Sequence, residues 1–248
     1  MILALTREVP SAINDCELTH LNRNPIDVDA ARAQHAAYEA ALEAAGCTVR
    51  RLPPLDDMPD SVFVEDTAVV VDELAVMTRP GAESRRGETA SVAAALRAHR
   101  RVVAIEEPGT LDGGDVLQLG KTIYVGVSAR TNAEGARQLR ELLEPYGYVV
   151  KAVDVTGCLH LKSAVTKVAS DTVLVNPDWI DKTLFQKVIE VDPAEPFAAN
   201  ALLVGDTLLC GAAYPRTNAR LKNAKTVDAS ELAKAEGGLT CCSILLTV

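Results

Sequence analysis

Two adjacent cysteines, Cys241 and Cys242, follow the diglycine Gly237-Gly238 and open the apolar run SILLTV near the end of the 248-residue chain. A thiol becomes a nucleophile only where a neighbour stabilises its thiolate or takes its proton. Alternation along a strand puts Cys241 and Ser243 on one face and Cys242 on the other, so one thiol is expected in a cavity and the other in the core. His160, in GCLHLKSAV, opens an apolar run and is the candidate partner. His35 and His99 fall within helical patterns and read as solvated, and His20 sits in a loop. Acids also lead into apolar runs: Asp112 and Asp115 in LDGGDVL, and Asp60, Glu65 and Asp66 in DSVFVEDTAVV. An unpaired buried carboxylate costs several kcal/mol, so each needs a partner. Asp115 reads as a backbone cap. For Asp112 and Asp66 a cationic ligand is the better partner, and alternation makes Asp66 rather than Glu65 the inward residue. Arg85, Arg86 and Arg130 precede helical patterns, and a guanidinium fork suits a ligand carboxylate. Taken together, these types describe a ligand with a cationic head and an anionic tail.

Positioning such residues requires a scaffold, and one phrase recurs along the chain: strand, two-residue polar turn, strand, helix. The copies turn at Asp72-Glu73, Gly120-Lys121, Ser170-Asp171 and Gly205-Asp206. The second copy predicts a helix opened by a Thr131/Glu134 capping box, running through Leu143 and ended by Pro145 and Gly147. The third predicts a helix with Trp179, Leu184, Phe185 and Val188 on its apolar positions; the fourth predicts a shorter one. A fifth copy is split between the termini: MILALTREV has no strand before it and CCSILLTV none after it. Residues 27–46 supply its helix, with Asp27 and Gly46 as caps. Five modules around an axis, closed by pairing the termini, predict one α/β propeller domain spanning residues 1–248. Asp66, Asp115, His160, Asn200 and Cys241 then lead into strands around a shared cavity. A doubly wound fold is the alternative, but no G-x-G-x-x-G follows a strand, and two-residue turns do not suit a purely parallel sheet.

A net charge of −9 argues against nucleic acid and anionic membranes as partners. No stretch approaches the ~20 apolar residues of a membrane span, and Arg7 interrupts the opening where a signal peptide needs an apolar run. The chain reads as cytoplasmic, its six cysteines as thiols. A small molecule is the expected partner, and a homodimer is left open. Cys158, His160 and Cys241 could converge on zinc, but no C-x-x-C or H-E-x-x-H spacing supports a metal site.

The ordered set FVEDTAVV, TRPGAESRR, LDGGDVL, SARTN, LHLKS and GGLTCCS covers most of the chain. It resembles the dimethylarginine dimethylaminohydrolase (dimethylargininase) family of the guanidino-group-modifying superfamily, which includes arginine deiminases and amidinotransferases. The resemblance implies a pentein fold and hydrolysis of N-methylated arginines to citrulline and dimethylamine or methylamine through a covalent S-alkylthiouronium. It implies Cys241 as nucleophile, His160 as general acid and base, and Asp112 bonded to His160 or to the guanidinium. It further implies Glu65 and Asp66 on the guanidinium side, Arg85 and Arg130 on the substrate carboxylate, Asp60 and the Ala235 backbone on the amino group, and Leu18 in a lid. No metal or organic cofactor is implied; zinc on Cys241 and His160 would be inhibitory. Arginine deiminases usually carry an aspartate where this chain has Lys162, which cannot accept a hydrogen bond, and its absence favours methylated arginine. A deiminase-like hydrolase of another guanidine and a non-catalytic guanidine-binding protein are the alternatives.

Overall fold

The computed structural model describes residues Met1–Val248. Its first module contains β1 (Ile2–Arg7), α1 (Val28–Ala44) and β2 (Cys47–Leu52). Asp27 caps α1 by accepting from Ala30 N, and Gly46 follows the helix at φ +94°, the left-handed region that glycine enters without a Cβ penalty. The second contains β3 (Ala68–Val70), β4 (Leu74–Met77), α2 (Thr89–Leu96) and β5 (Arg101–Ala104). The third contains β6 (Val116–Leu119), β7 (Thr122–Val127), α3 (Ala133–Leu143) and β8 (Val149–Asp154). In the fourth, the single turn α4 (Leu161–Ala164) leads into β9 (Val165–Ala169), β10 (Thr172–Val175) and β11 (Val188–Glu190). The fifth contains β12 (Ala201–Val204), β13 (Thr207–Gly211), α5 (Pro215–Asn218) and β14 (Ala224–Val227). After α6 (Ser230–Ala233), β15 (Ile244–Thr247) returns to the first module.

Every module is a three-stranded sheet with one wiring. An antiparallel hairpin is followed by a connector that delivers a third strand parallel to the hairpin's second. The first module keeps this wiring only because β15 supplies its leading strand: β15 runs antiparallel to β1, Ile2 facing Thr247, and β1 runs parallel to β2. All four expected hairpin turns form, and the termini pair as the split repeat requires. The third, parallel strand of each sheet is absent from the sequence reading.

Three local expectations are corrected. No long helix follows β10. Asp181 accepts from both Thr183 N and Thr183 Oγ1, and only the turn Lys182–Leu184 forms before Val188 opens β11. Trp179 and Phe185 pack instead as side chains of a loop, Trp179 edge-on to Phe197 at 5.0 Å between ring centroids. The α3 cap is Asn132, which accepts from Gly135 N, because the buried Thr131 hydroxyl already accepts from Asp112 N. Finally, the residues leading into the first strand of each module lie on or directly beside one-turn helices, not on strands. These turns are Val64–Thr67, Gly113–Asp115, α4, Pro196–Ala199 and Thr240–Cys242.

Apolar packing is divided into wedges between neighbouring modules. In one wedge the fully buried Leu139 and Leu143 of α3 lie with Ile123, Val125 and Leu111; truncating such a leucine to alanine costs ~2–5 kcal/mol. The wedges orient the sheets radially and bring the five one-turn helices together about the axis. Two glycines of LDGGD permit that approach: a Cβ on Gly113 would stand 1.9 Å from Glu65 O, and one on Gly114 2.8 Å from Asp66 Oδ1. No helix is long and apolar enough to cross a membrane.

Candidate active site

Cys241 belongs to the turn Thr240–Cys242 and borders a narrow cavity at one face of the axis. Cys242 is buried in the core, so the expected division between the two thiols holds, although a helical turn rather than strand alternation produces it. Gly238 N approaches the Cys241 sulfur at 3.4 Å. Burial first, then the carboxylates of Glu65 and Asp66, push this thiol up to about 12, so it is neutral in the unliganded protein near pH 7.

His160 precedes α4 and lines the same cavity. Its Nε2 lies 3.0 Å from Asp112 Oδ2, and its Nδ1 4.0 Å from Asp66 Oδ1. Burial works against the imidazolium, yet Asp66, the Asp112 hydrogen bond and Asp115 outweigh it and raise the group to about 9. Asp112 lies fully buried behind the ring, where Gly81 N donates to its other oxygen at 2.9 Å. Asp112 thus bonds His160, one of the two partners expected for it. Asp115 caps the backbone at Leu161 N, 2.9 Å away, and accepts from the Ser128 hydroxyl.

Asp66 lines the cavity with Cys241 and His160. Arg85 Nη1 donates to it at 2.6 Å and Gly114 N at 2.9 Å. Burial alone would raise it, but His160 and Arg85 prevail and hold it near 2. Glu65, one residue earlier, turns to the opposite face of the ring. There it accepts from Lys162 Nζ at 2.6 Å and Thr240 Oγ1 at 2.8 Å and borders a larger cavity. Lys162 also reaches Gly113 O at 3.2 Å.

Asp60, Arg85, Arg130 and Ala235 form further walls of the narrow cavity. Asp60 accepts from Glu17 N at 3.0 Å, and burial raises its pKa. Arg85 is almost fully engaged, by Asp66, by Glu88 through Nε and Nη2, and by the carbonyls of Asp60 and Phe63. Arg130 Nη2 donates to Thr19 Oγ1 at 3.3 Å, while Nη1 lies 4.0 Å from Asp112. Leu18 does not border the cavity; it packs half-buried against the apolar wedge beneath it.

Several contributors escaped the sequence reading. Glu88 is buried and follows Arg85 at the i,i+3 spacing that signals a helical pair. Glu17 borders the cavity and accepts from the Ser84 hydroxyl at 2.6 Å. Glu236 stands at φ +58°, and its carboxylate accepts from the backbone N–H groups of Thr19, His20 and Leu21, fastening the covering loop. An acid beside two glycines was the available signal. His35 is buried beside Glu39 rather than solvated, and burial lowers it to about 4. Asp66, Asp112 and His160 offer three ligand atoms within 4.8 Å of one another, but Arg85, Gly114 N and Gly81 N already engage the two acids.

Five radial α/β modules with a cysteine, a histidine and carboxylates at their axis define a pentein, the scaffold of guanidino-group-modifying proteins. The model of the arginine deiminase family matches residues 51–209. A dimethylarginine dimethylaminohydrolase from Streptomyces coelicolor is 45% identical over 249 residues, covering 98% of this chain and 96% of that protein. A solved structure of a cysteine-to-serine mutant of the Pseudomonas aeruginosa enzyme, complexed with citrulline, superposes with a TM-score of 0.92 at 35% identity over 98% of each chain. A histidine-to-glycine variant of a dimethylarginine dimethylaminohydrolase, an adduct with S-methyl-L-thiocitrulline, superposes at 0.93 with 36% identity, covering 99% of this chain and 100% of that one. The chain belongs to the arginine deiminase family and, within it, to the dimethylarginine dimethylaminohydrolases.

Proposed function

We infer that this protein hydrolyses N-methylated arginines to citrulline and dimethylamine or methylamine. The observation that carries the reading is one cavity holding Cys241, His160 and Asp66 together with Asp60, Arg85 and Arg130. That set matches the cationic head, the carboxylate and the amino group of an arginine. The citrulline complex of the Pseudomonas enzyme supports the product.

Asp66 would hold the guanidinium with its carbon facing sulfur; Arg85, Arg130, Asp60 and the Ala235 backbone would fix the amino-acid end, and Glu65 would act from the far face through Thr240. The resting thiol is neutral and His160 is imidazolium. The arriving cation favours the thiolate, so the thiol proton leaves to solvent on binding rather than to His160, which is already protonated. Sulfur attacks the guanidinium carbon, and the C–N bond to the methylated nitrogen breaks as His160 supplies a proton. Neutral His160 then takes one proton from water, whose oxygen attacks the thiouronium carbon; as the C–S bond breaks, the remaining hydroxyl proton passes to the departing sulfur through solvent, leaving neutral citrulline and the resting thiol. Asp112 keeps the imidazole oriented through both steps. The chain thus supplies nucleophile, acid and electrostatic grip without needing a metal or organic cofactor, and zinc on Cys241 and His160 would block both groups. Residues 1–248 would act as one catalytic domain in the cytoplasm.

Citrulline formation from asymmetric dimethylarginine, monomethylarginine and arginine, measured side by side, tests the reading. The methylated substrates are expected to turn over with little or no reaction of arginine, because Lys162 leaves no second acceptor for an unsubstituted guanidinium. A preference for arginine would make the protein a deiminase, and silence on all three would leave a hydrolase of another guanidine or a binding protein.

A further inference from the structure

The turn bearing Cys241 and the turn following His160 come from different modules, and no backbone hydrogen bond joins them. Cys241 N, Cys242 N and Ser243 N donate within their own turn, to Gly238, Leu239 and Thr240, and Ser163 N donates to His160 O. One side chain joins the two backbones. Asn200, just after the turn Pro196–Ala199, accepts from Thr240 N at 3.1 Å through Oδ1. Its Nδ2 donates to Thr240 Oγ1 at 3.0 Å and to Lys162 O at 3.1 Å.

Both amide hydrogens and the carbonyl are therefore committed, and the partners fix the amide's orientation, because only the oxygen can accept from Thr240 N. Thr240 immediately precedes the nucleophile, and Lys162 lies in the turn that His160 opens. Thr240 Oγ1 in turn donates a hydrogen bond to Glu65, which is ion-paired with Lys162, so the circuit closes through side chains. Gly238 is shaped to the same amide: a Cβ there would stand 2.4 Å from Asn200 Cγ. Asn200 does not border the narrow cavity; it faces an adjoining apolar one beside Leu159 and Leu239.

We propose that Asn200 is a positioning residue that sets the separation of Cys241 and His160 by tying their turns together. This rests on the hydrolase reading of the site. A displacement of ~1 Å between reacting groups costs on the order of 10²-fold in rate, whereas substrate binding through Asp66, Arg85 and Arg130 does not pass through Asn200.

Steady-state kinetics with asymmetric dimethylarginine on wild type, Asn200→Ala and Asn200→Asp, with melting temperatures, test it. An inactive wild type would refute the hydrolase reading itself and is thereby distinguished from failure of the positioning role. With an active wild type, Asn200→Ala is expected to lose ~10–100-fold in kcat with KM within about threefold. A kcat loss smaller than about fivefold, or a KM rise accounting for the loss, overturns the proposal. If Asn200→Ala does not fold, the same criteria apply to Asn200→Asp, which keeps the acceptor and removes both donors. Should neither variant fold, Asn200 is a structural residue and the proposal fails.

Discussion

Asp66 is the carboxylate that His160 feels most strongly after the cost of burial, and replacing it with asparagine gives a test worked from distance alone. Asp66 Oδ1 lies 4.0 Å from His160 Nδ1. At an effective dielectric constant of ~20, unit charges ~4 Å apart interact by ~4 kcal/mol, equivalent to about three pH units. Arg85, 2.6 Å from the other carboxylate oxygen, compensates part of that field, and Asp112 remains on Nε2. Asp66→Asn is therefore expected to lower His160 in the unliganded protein by about one to three units from its position near 9. Heteronuclear NMR titration of the imidazole C–H groups, with His160 assigned by its absence in His160→Gln, reads this without substrate. The same substitution relieves Cys241 of a neighbouring negative charge, so alkylation by iodoacetamide should accelerate at fixed pH. A His160 midpoint within half a unit of wild type would refute the electrostatic account of the site.

The shifted groups also shape stability. His160 is raised from 6.5 to about 9, so its contribution is complete below pH 6.5 and is lost as pH rises through 9. Asp66 is lowered from 3.8 to about 2, so its contribution is complete above pH 3.8 and is lost as pH falls toward 2. Urea unfolding between pH 5 and pH 9.5 should then show a decline of up to about 3 kcal/mol on the alkaline side; a profile as steep in His160→Gln would contradict its assignment to His160. Lys162→Met removes the partner of a carboxylate deep in the ring and should destabilise by ~3–5 kcal/mol. The loss should be larger at pH 8 than at pH 5, where Glu65 more readily takes a proton, and most of it should return in Lys162→Met/Glu65→Leu. A loss below about 1 kcal/mol in urea titrations would show that the pair contributes little.

The hairpins were legible because alternating apolar runs broken by Gly120-Lys121 or Gly205-Asp206 leave the chain few other solutions; Gly120 and Gly205 both stand at positive φ. The parallel third strands were not. They are partly exposed, Arg101–Ala104 among them, and each takes its register from a strand 15 to 45 residues earlier in sequence. Side-chain direction at Asp66 and Cys241 came out correctly for the wrong reason, since a one-turn helix and a strand can both send neighbouring residues to opposite sides. What no local pattern carries is pairing at a distance along the chain. Arg85 with Asp66, His160 with Asp112 and Lys162 with Glu65 join segments 19, 48 and 97 residues apart. In such pairs the sequence shows residue types, while the fold decides who meets whom.

Sharing one sheet between the two ends of the chain has a consequence for how the protein becomes active. The hairpins of the other four modules are local and can form early, but Ile2 meets Thr247 only when almost the whole polypeptide has been gathered. Closing so long a loop carries a large entropic cost that no nearby contact repays, which makes this the natural last step of folding. The segment it locks in place carries Cys241. A chain with four finished blades would have near-native sheet content by circular dichroism and no nucleophile opposite its histidine. Catalysis in this architecture is therefore a readout of completion: turnover during refolding should report the final stitch of the ring, lagging behind the spectroscopic signals of everything built before it.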